Sequence, residues 1–347
     1  MNPLFRKPAL LAMAALVSMT ACAAESAPAT RAQAAPAVSA PAKAATAART
    51  PLAQAAGAAK QAAPKQAAPK KPKLEIADIT PMGETTEKVG VGFPIIVTFD
   101  RDVRDKAAAE AVLEVEAEKP ADGAWRWVSD RKVIYRTKTY WKPHQKVLFT
   151  AHLSQIPGNE AAEDVSRRFA VGTANISLVD TRRHVMKTYR DGKLAKRIPI
   201  SAGRGGLMRN GVDVYLTTSG VHLTMGKKRV ETMTSSWMGV TDPKDPQYYK
   251  EEIPWAVRIS DSGEYVHQSA GYYQYLGRSN QSHGCVRATP AGAKWFYTIA
   301  QRGDVVKITG TKRKLDWRNG WSYWQLNWTQ WKKGSALGGT QITAEKS

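Results

Sequence analysis

The run Ser282-His283-Gly284-Cys285-Val286-Arg287 holds one of only two cysteines among 347 residues. His283 lies two positions before Cys285, and His267 lies eighteen before it. Gly277 and Gly284 crowd the same stretch. A thiol, an imidazole that can take its proton and a glycine-bent backbone with free N–H groups are the parts of nucleophilic catalysis by cysteine. The same residue types also serve two plainer ends. A thiol can be structural and inert, and cysteine with histidine can bind a metal. A metal site needs three or four ligands, and Cys285, His283 and His267 are the only obvious ones. An unpaired cysteine in a polar, glycine-rich loop of an exported protein is open to oxidation, which favours a thiol that is used.

The elements around this loop read as β-rich. Strands are expected at 175–179, 184–189, 194–200, 212–217, 231–234, 255–259, 264–267 and 304–308, with Asp191-Gly192 as a hairpin turn. One helix stands out. Thr289 is an N-cap, Pro290 takes the first helical position, Gly303 ends it, and Trp295, Phe296 and Ile299 share a face. The positive end of that helix would favour a thiolate if it points at Cys285.

The net charge is +21, from 51 Lys and Arg against 30 Asp and Glu, which suits a polyanionic surrounding. The first residues decide which kind. Arg6 and Lys7 precede an apolar core from Pro8 to Ser18. Such a core is too short to span a bilayer, which needs about 20 residues, and it fits an export signal. Met-Thr-Ala-Cys, ending at Cys22, is similar to a bacterial lipobox; ordinary signal cleavage near Ala21–Ala24 is the alternative. Export on either route sets nucleic acid aside as a partner. An anionic cell wall or membrane surface remains.

Residues 23–73 are alanine, proline, glutamine and scattered lysine, with almost nothing to bury. They read as a disordered, basic spacer reaching about 40 Å. Residues 74–172 hold six or seven short strands rich in β-branched and aromatic residues, which suggests an immunoglobulin-like β-sandwich. Its His144 and His152 stand alone and carry no chemistry. Residues 173–311 form the second β-rich domain. In the tail, 312–347, Trp317, Trp321, Trp324, Trp328 and Trp331 are spaced 4, 3, 4, 3, the face of a helix that docks on the folded domains.

His267, followed eighteen residues on by Cys285 within Ser-His-Gly-Cys, resembles the motif of the bacterial L,D-transpeptidases, which cross-link peptidoglycan. The resemblance runs from Asn175 to about Ala336 and is nearest to actinobacterial members, which carry immunoglobulin-like domains ahead of the catalytic unit. It implies that Cys285 is the nucleophile and His267 the general base and acid. It further implies that backbone N–H groups of Gly284 and Cys285 stabilise the oxyanion, with no metal and no cofactor. The substrates would be stem peptides: a tetrapeptide donor, attacked at the bond to its terminal D-Ala, and an acceptor amine that resolves the thioester into a 3→3 cross-link. Carbapenems would be covalent inhibitors.

Other positions carry over less firmly. His283 shapes the loop or meets substrate. Arg287 holds a stem carboxylate or a loop carbonyl. Ser282 and Gln268 join the substrate-binding set; at the latter the family orients its histidine through the backbone carbonyl. Residues 235–252, with Trp237, Tyr248 and Tyr249, fall where relatives place a lid, or they form a plain surface loop. Two departures stand out: Gln268 where serine is frequent, and Arg287 where actinobacterial members have asparagine. Hydrolysis of the thioester (an L,D-carboxypeptidase), D-amino acid exchange, a non-catalytic wall-binding lipoprotein and a cysteine protease are the competing functions.

Overall fold

The computed structural model describes residues 73–81 and 87–345. The signal segment, Cys22 and nearly all of the spacer lie outside the described residues. The first domain comprises β1 (Ile76–Thr80), β2 (Lys88–Val89), β3 (Ile95–Phe99), α1 (Lys106–Ala111), β4 (Leu113–Ala117), β5 (Asp122–Trp127), β6 (Lys132–Thr137), β7 (Gln145–Ala151) and β8 (Val165–Val171). Two sheets face each other, β1-β3-β6-β5 and β2-β8-β7-β4. Alternation dictates the packing. In β4, Leu113, Val115 and Ala117 are buried while Glu114 and Glu116 point outward. Trp125, Tyr135, Trp141, Phe149 and Phe169 fill the space between the sheets.

The second domain follows with β9 (Asn175–Asp180), β10 (Val185–Arg190), β11 (Lys193–Ser201), β12 (Met208–Arg209), β13 (Val212–Asp213), β14 (Gly220–Leu223), β15 (Gly226–Thr234) and β16 (Lys250–Arg258). Then come β17 (Tyr265–Gln268), β18 (Val286–Ala288), α2 (Pro290–Ile299) and β19 (Val305–Thr309). Nine strands make one mixed sheet in the order β14-β19-β9-β10-β11-β18-β17-β16-β15. Helix α2 packs Ala293 and Phe296 on Ile198, Val257, Val266 and Val286. Thr289 caps it, accepting from the Gly292 N–H at 3.1 Å. It stops at Ile299, four residues before Gly303.

Two expectations change. Residues 214–217 are not a strand: the Asp213 carboxylate accepts N–H groups of Gly206, Leu207 and Tyr215, which draws the backbone into a local turn instead of a ladder. The tryptophan stripe is also not one helix. Asn319-Gly320 turns the chain, a single 3-10 turn covers Tyr323–Gln325, and Asn327 forms a capping box with Gln330 that starts the short α3 (Trp328–Lys332). The five tryptophans therefore face several directions. Trp331 is fully buried and donates to the Ala124 carbonyl at 2.9 Å. Trp324 donates to Gly92, and Trp321 meets Phe93 edge-on. Arg136, 2% exposed, sits between Trp324 and Trp331, with its guanidinium 4.5 and 4.7 Å from their rings.

Past α3 the chain adds β20 (Gln341–Ile342) beside β5 and β21 (Ala344–Glu345) beside β4, one strand to each sheet of the first domain. A second seam joins the domains directly. The Gly90 N–H donates to the Arg302 carbonyl and the Gly92 N–H to that of Gly303. A Cβ on Gly90 would stand 2.2 Å from the Asp304 nitrogen, so only glycine allows this approach. Replacing Trp331 by alanine is expected to cost about 3–5 kcal/mol by cavity formation and lost burial. Urea unfolding measures it; an unchanged midpoint would show that the tail rests on the fold without supporting it.

Candidate active site

The site is built on a parallel strand pair. Val266 lies across from Val286, and His267 across from Arg287. Both valines are fully buried in the core, so His267 and Arg287 share the opposite face of the sheet. Two parallel strands cannot be joined by a tight turn. The crossover from β17 to β18 runs through residues 269–285 and brings Cys285 back beside β17.

His267 is 2% exposed. Its Nδ1 donates to the Gln268 carbonyl at 2.6 Å, which fixes the tautomer and leaves Nε2 without a partner among the described residues. Burial pushes its pKa down to about 4, with the Arg287 charge adding to the effect. Cys285 is partly exposed at the cleft floor, and its sulfur donates to the Gly263 carbonyl at 3.7 Å. Burial pushes the thiol up to about 12, and the Glu264 carboxylate adds to the rise. The Tyr265 N–H and the Arg287 guanidinium pull the other way. Thiol and imidazole are therefore both neutral at rest. The α2 N-terminus does not adjoin Cys285 in the chain, because β18 stands between them.

The reactive loop is braced from within. Ser282 is buried; its hydroxyl accepts the Gly284 N–H at 3.1 Å and donates to the Cys285 carbonyl at 2.6 Å. Two expectations fall here. The buried Ser282 hydroxyl has its one proton committed to the Cys285 carbonyl, and the Gly284 N–H is already engaged. Gly284 contributes its shape instead, at φ +133°, where a side chain would be strained. Its carbonyl is held by the Thr217 hydroxyl at 2.6 Å, which in turn accepts from the Gly203 N–H. A planar trans peptide sends the next N–H the opposite way. The Cys285 N–H thus points away from Thr217, and among the described residues it has no partner.

A flap formed by β15, β16 and the segment between them covers the cleft. Met233, Trp237 and Tyr249 line it from above, and Tyr265, His283 and Cys285 from below. Trp237 donates to the Tyr249 hydroxyl at 2.6 Å. His283 stacks on Tyr249 at 5.1 Å and meets Tyr215 at a tilt, 4.6 Å away. Burial, with the Arg204 and Arg287 charges, pushes its pKa down to about 4, so it is a neutral wall of the cleft. Tyr248 is not in the cleft; it packs with Tyr215, Met238 and Val240 inside the flap. Arg287 is 8% exposed, stacks on Tyr272 at 4.8 Å and donates to the Gln281 carbonyl at 3.3 Å. Of its two expected roles, the structure shows the loop carbonyl. Gln268 takes part through its backbone. Thr217, Thr218 and Glu264 escaped the sequence reading, since nothing in threonine-threonine or a lone glutamate points to a distant loop.

Comparison with known proteins places this geometry. Residues 174–308 match the L,D-transpeptidase catalytic domain family, and residues 44–157 match a bacterial Ig domain, a match that begins inside the stretch read as spacer. L,D-transpeptidase 2 of Mycobacterium tuberculosis is 30% identical over 254 residues, 72% of this chain and 60% of that protein. L,D-transpeptidase 5 of the same species is 30% identical over 260 residues, 72% of this chain and 54% of its own length. The chain thus spans little more than half the length of these relatives. Among solved structures, the LD transpeptidase LdtMt1 in complex with imipenem aligns at a TM-score of 0.57 with 26% identity, over 69% of this chain and all of that one. L,D-transpeptidase 3 of M. tuberculosis, carrying a faropenem-derived adduct, aligns at 0.54 with 26% identity, over 68% and 98%. Residues 174–308 thus form a catalytic domain of the L,D-transpeptidase family, a family of cysteine-dependent acyltransferases, with a bacterial Ig domain ahead of it.

Proposed function

We propose that the chain is an exported L,D-transpeptidase that forms 3→3 peptidoglycan cross-links through a thioester on Cys285. The observation that carries this reading is the shared strand face. His267, with only Nε2 free, lies on β17, and Cys285, open to a covered cleft, immediately precedes the strand paired with it, β18. The thiol leaves the Gly263 carbonyl and passes its proton to His267 Nε2 as sulfur attacks the carbonyl carbon of the donor's third residue. The Cys285 N–H faces the forming oxyanion. The bond to the terminal D-Ala breaks, its nitrogen takes the proton back from His267, and the thioester remains. The side-chain amine of an acceptor stem then attacks. The new amide forms, the sulfur–carbon bond breaks, and the amine proton returns to sulfur through His267. No metal enters these steps. Trp237, Tyr249 and His283 exclude water from the thioester, which favours an amine over hydrolysis.

The domain plan follows the sequence reading: signal 1–22, spacer 23–73, Ig-like domain 74–172, catalytic domain 173–311 and tail 312–347. Lipidation of Cys22 would hold the enzyme on the outer face of the cytoplasmic membrane, with the basic spacer against anionic wall or membrane. Fatty-acid labelling that persists in Cys22→Ala would refute that anchor.

Incubated with a disaccharide-tetrapeptide, the protein is expected to give a dimer with loss of D-Ala, read by mass. Tripeptide alone would indicate a carboxypeptidase instead. Cys285→Ala should give neither product and should take up no carbapenem mass, whereas the wild type gains the mass of one inhibitor molecule. Turnover by that variant would defeat the central assignment.

The pH dependence has a defined sign. Protonating His267 removes the base, and its pKa lies at about 4. The acid limb of kcat/KM should therefore fall below about pH 5, not near the usual histidine value of about 6.5. A limb centred near the latter would place the base elsewhere.

A further inference from the structure

The catalytic reading leaves one buried carboxylate unused. Glu264 follows Gly263, whose carbonyl accepts the thiol, and is 3% exposed. It lines the cleft floor, with its Cγ 3.9 Å from where a Cβ would stand on Gly284. A carboxylate taken out of water needs partners. Thr218 supplies both: its N–H donates to Oε1 at 2.7 Å and its hydroxyl to Oε2 at 2.6 Å. The second is the length of a hydrogen bond to an ionised carboxylate.

Behind Thr218 lies His222, fully buried. Its Nδ1 is 3.1 Å from the Ile259 carbonyl and its Nε2 3.0 Å from that of Thr218. The Thr218 hydroxyl, its proton already given to Glu264, turns a lone pair to the same Nε2 at 3.3 Å. Both ring nitrogens are held by groups within the protein. Thr218 thus fixes Glu264 on one side and is itself held by His222 on the other.

We propose that Glu264 is a positioning residue whose carboxylate, fixed by Thr218 beneath the reactive loop, holds the resting Cys285 as a neutral thiol on the Gly263 carbonyl until His267 takes its proton. This rests on the assignment of Cys285 as the nucleophile. A negative charge at the cleft floor disfavours a second one on sulfur. The other charged groups around the sulfur come from different elements. Arg287 on β18 opposes Glu264. Glu231 on β15 is paired with Lys228, and Arg313 is committed to the Val214 and Leu216 carbonyls. Tyr249 and Tyr265 have phenol pKa values raised by burial, and His283 and His267 are neutral, so all four are uncharged near pH 7. A neutral thiol is poorly reactive toward oxidants and adventitious electrophiles.

The test is the pH dependence of iodoacetamide alkylation, followed by mass at the Cys285 peptide of the full chain. It needs no turnover, so it can fail while the assignment of the nucleophile stands. Glu264→Gln keeps the side-chain shape and removes the charge. Its alkylation should be about tenfold faster than wild type at any pH below the midpoint, the effect of a thiol pKa lower by about one unit. A folded variant that reacts within twofold of wild type would overturn the proposal. Should that variant fail to fold, Thr218→Val gives the second reading. The carboxylate then loses the hydroxyl that fixes it beneath the loop, so alkylation should quicken; an unchanged or slower rate would overturn the proposal equally.

Discussion

A parallel pair of strands has to be joined by a crossover, and the chemistry of this protein hangs on that requirement. The β17–β18 pair buries Val266 and Val286 and thereby turns His267 and Arg287 to the other face. Slipping the register by one residue would reverse every side chain and bury the base with the valines. The long return from β17 places Cys285 where β18 begins, at a distance in sequence but next to the strand that carries His267. The flap, the brace beneath the loop and helix α2 all act on that pair.

The electrostatics follow from the same burial. A solvent-exposed thiol and imidazole would titrate freely, but here each is pushed toward its neutral form. The site therefore stores no charge separation at rest. Its pre-organisation lies in dipoles: a tautomer fixed by the Gln268 carbonyl, and a peptide plane fixed by Thr217. Such groups need no reorganisation when charge develops on a substrate oxygen, which is where they are effective.

The sequence was legible where local patterns coincide with tertiary roles. The His267–Cys285 spacing, the Thr289-Pro290 helix start, the Asp191-Gly192 hairpin and the alternation in the first domain all read directly from residue types. The failures have a common cause. The even spacing of the tryptophans is a helical signal, but Asn319-Gly320 and the Asn327 cap break the tail into short pieces, and each ring found a separate niche. Residues 214–217 look like a strand until the Asp213 carboxylate competes for their N–H groups. Ser282, Tyr248 and the Gly284 N–H were drawn toward substrate, yet each is consumed by a partner within the protein. Thr217 and Glu264 were invisible because their importance lies in contacts 67 and 46 residues away.

The closing strands β20 and β21 carry a further consequence. Each sheet of the first sandwich receives an edge from residues 341–345, at the far end of the chain. Domains usually complete themselves in the order in which they are synthesised. This sandwich cannot, because two of its ten strands follow the catalytic domain in the chain. Its final closure waits for the whole catalytic domain, so the finished sandwich reports that the chain has been made past residue 345. A product that ends before residue 341 is therefore a molecule with two open sheet edges, the feature that quality control and aggregation both recognise.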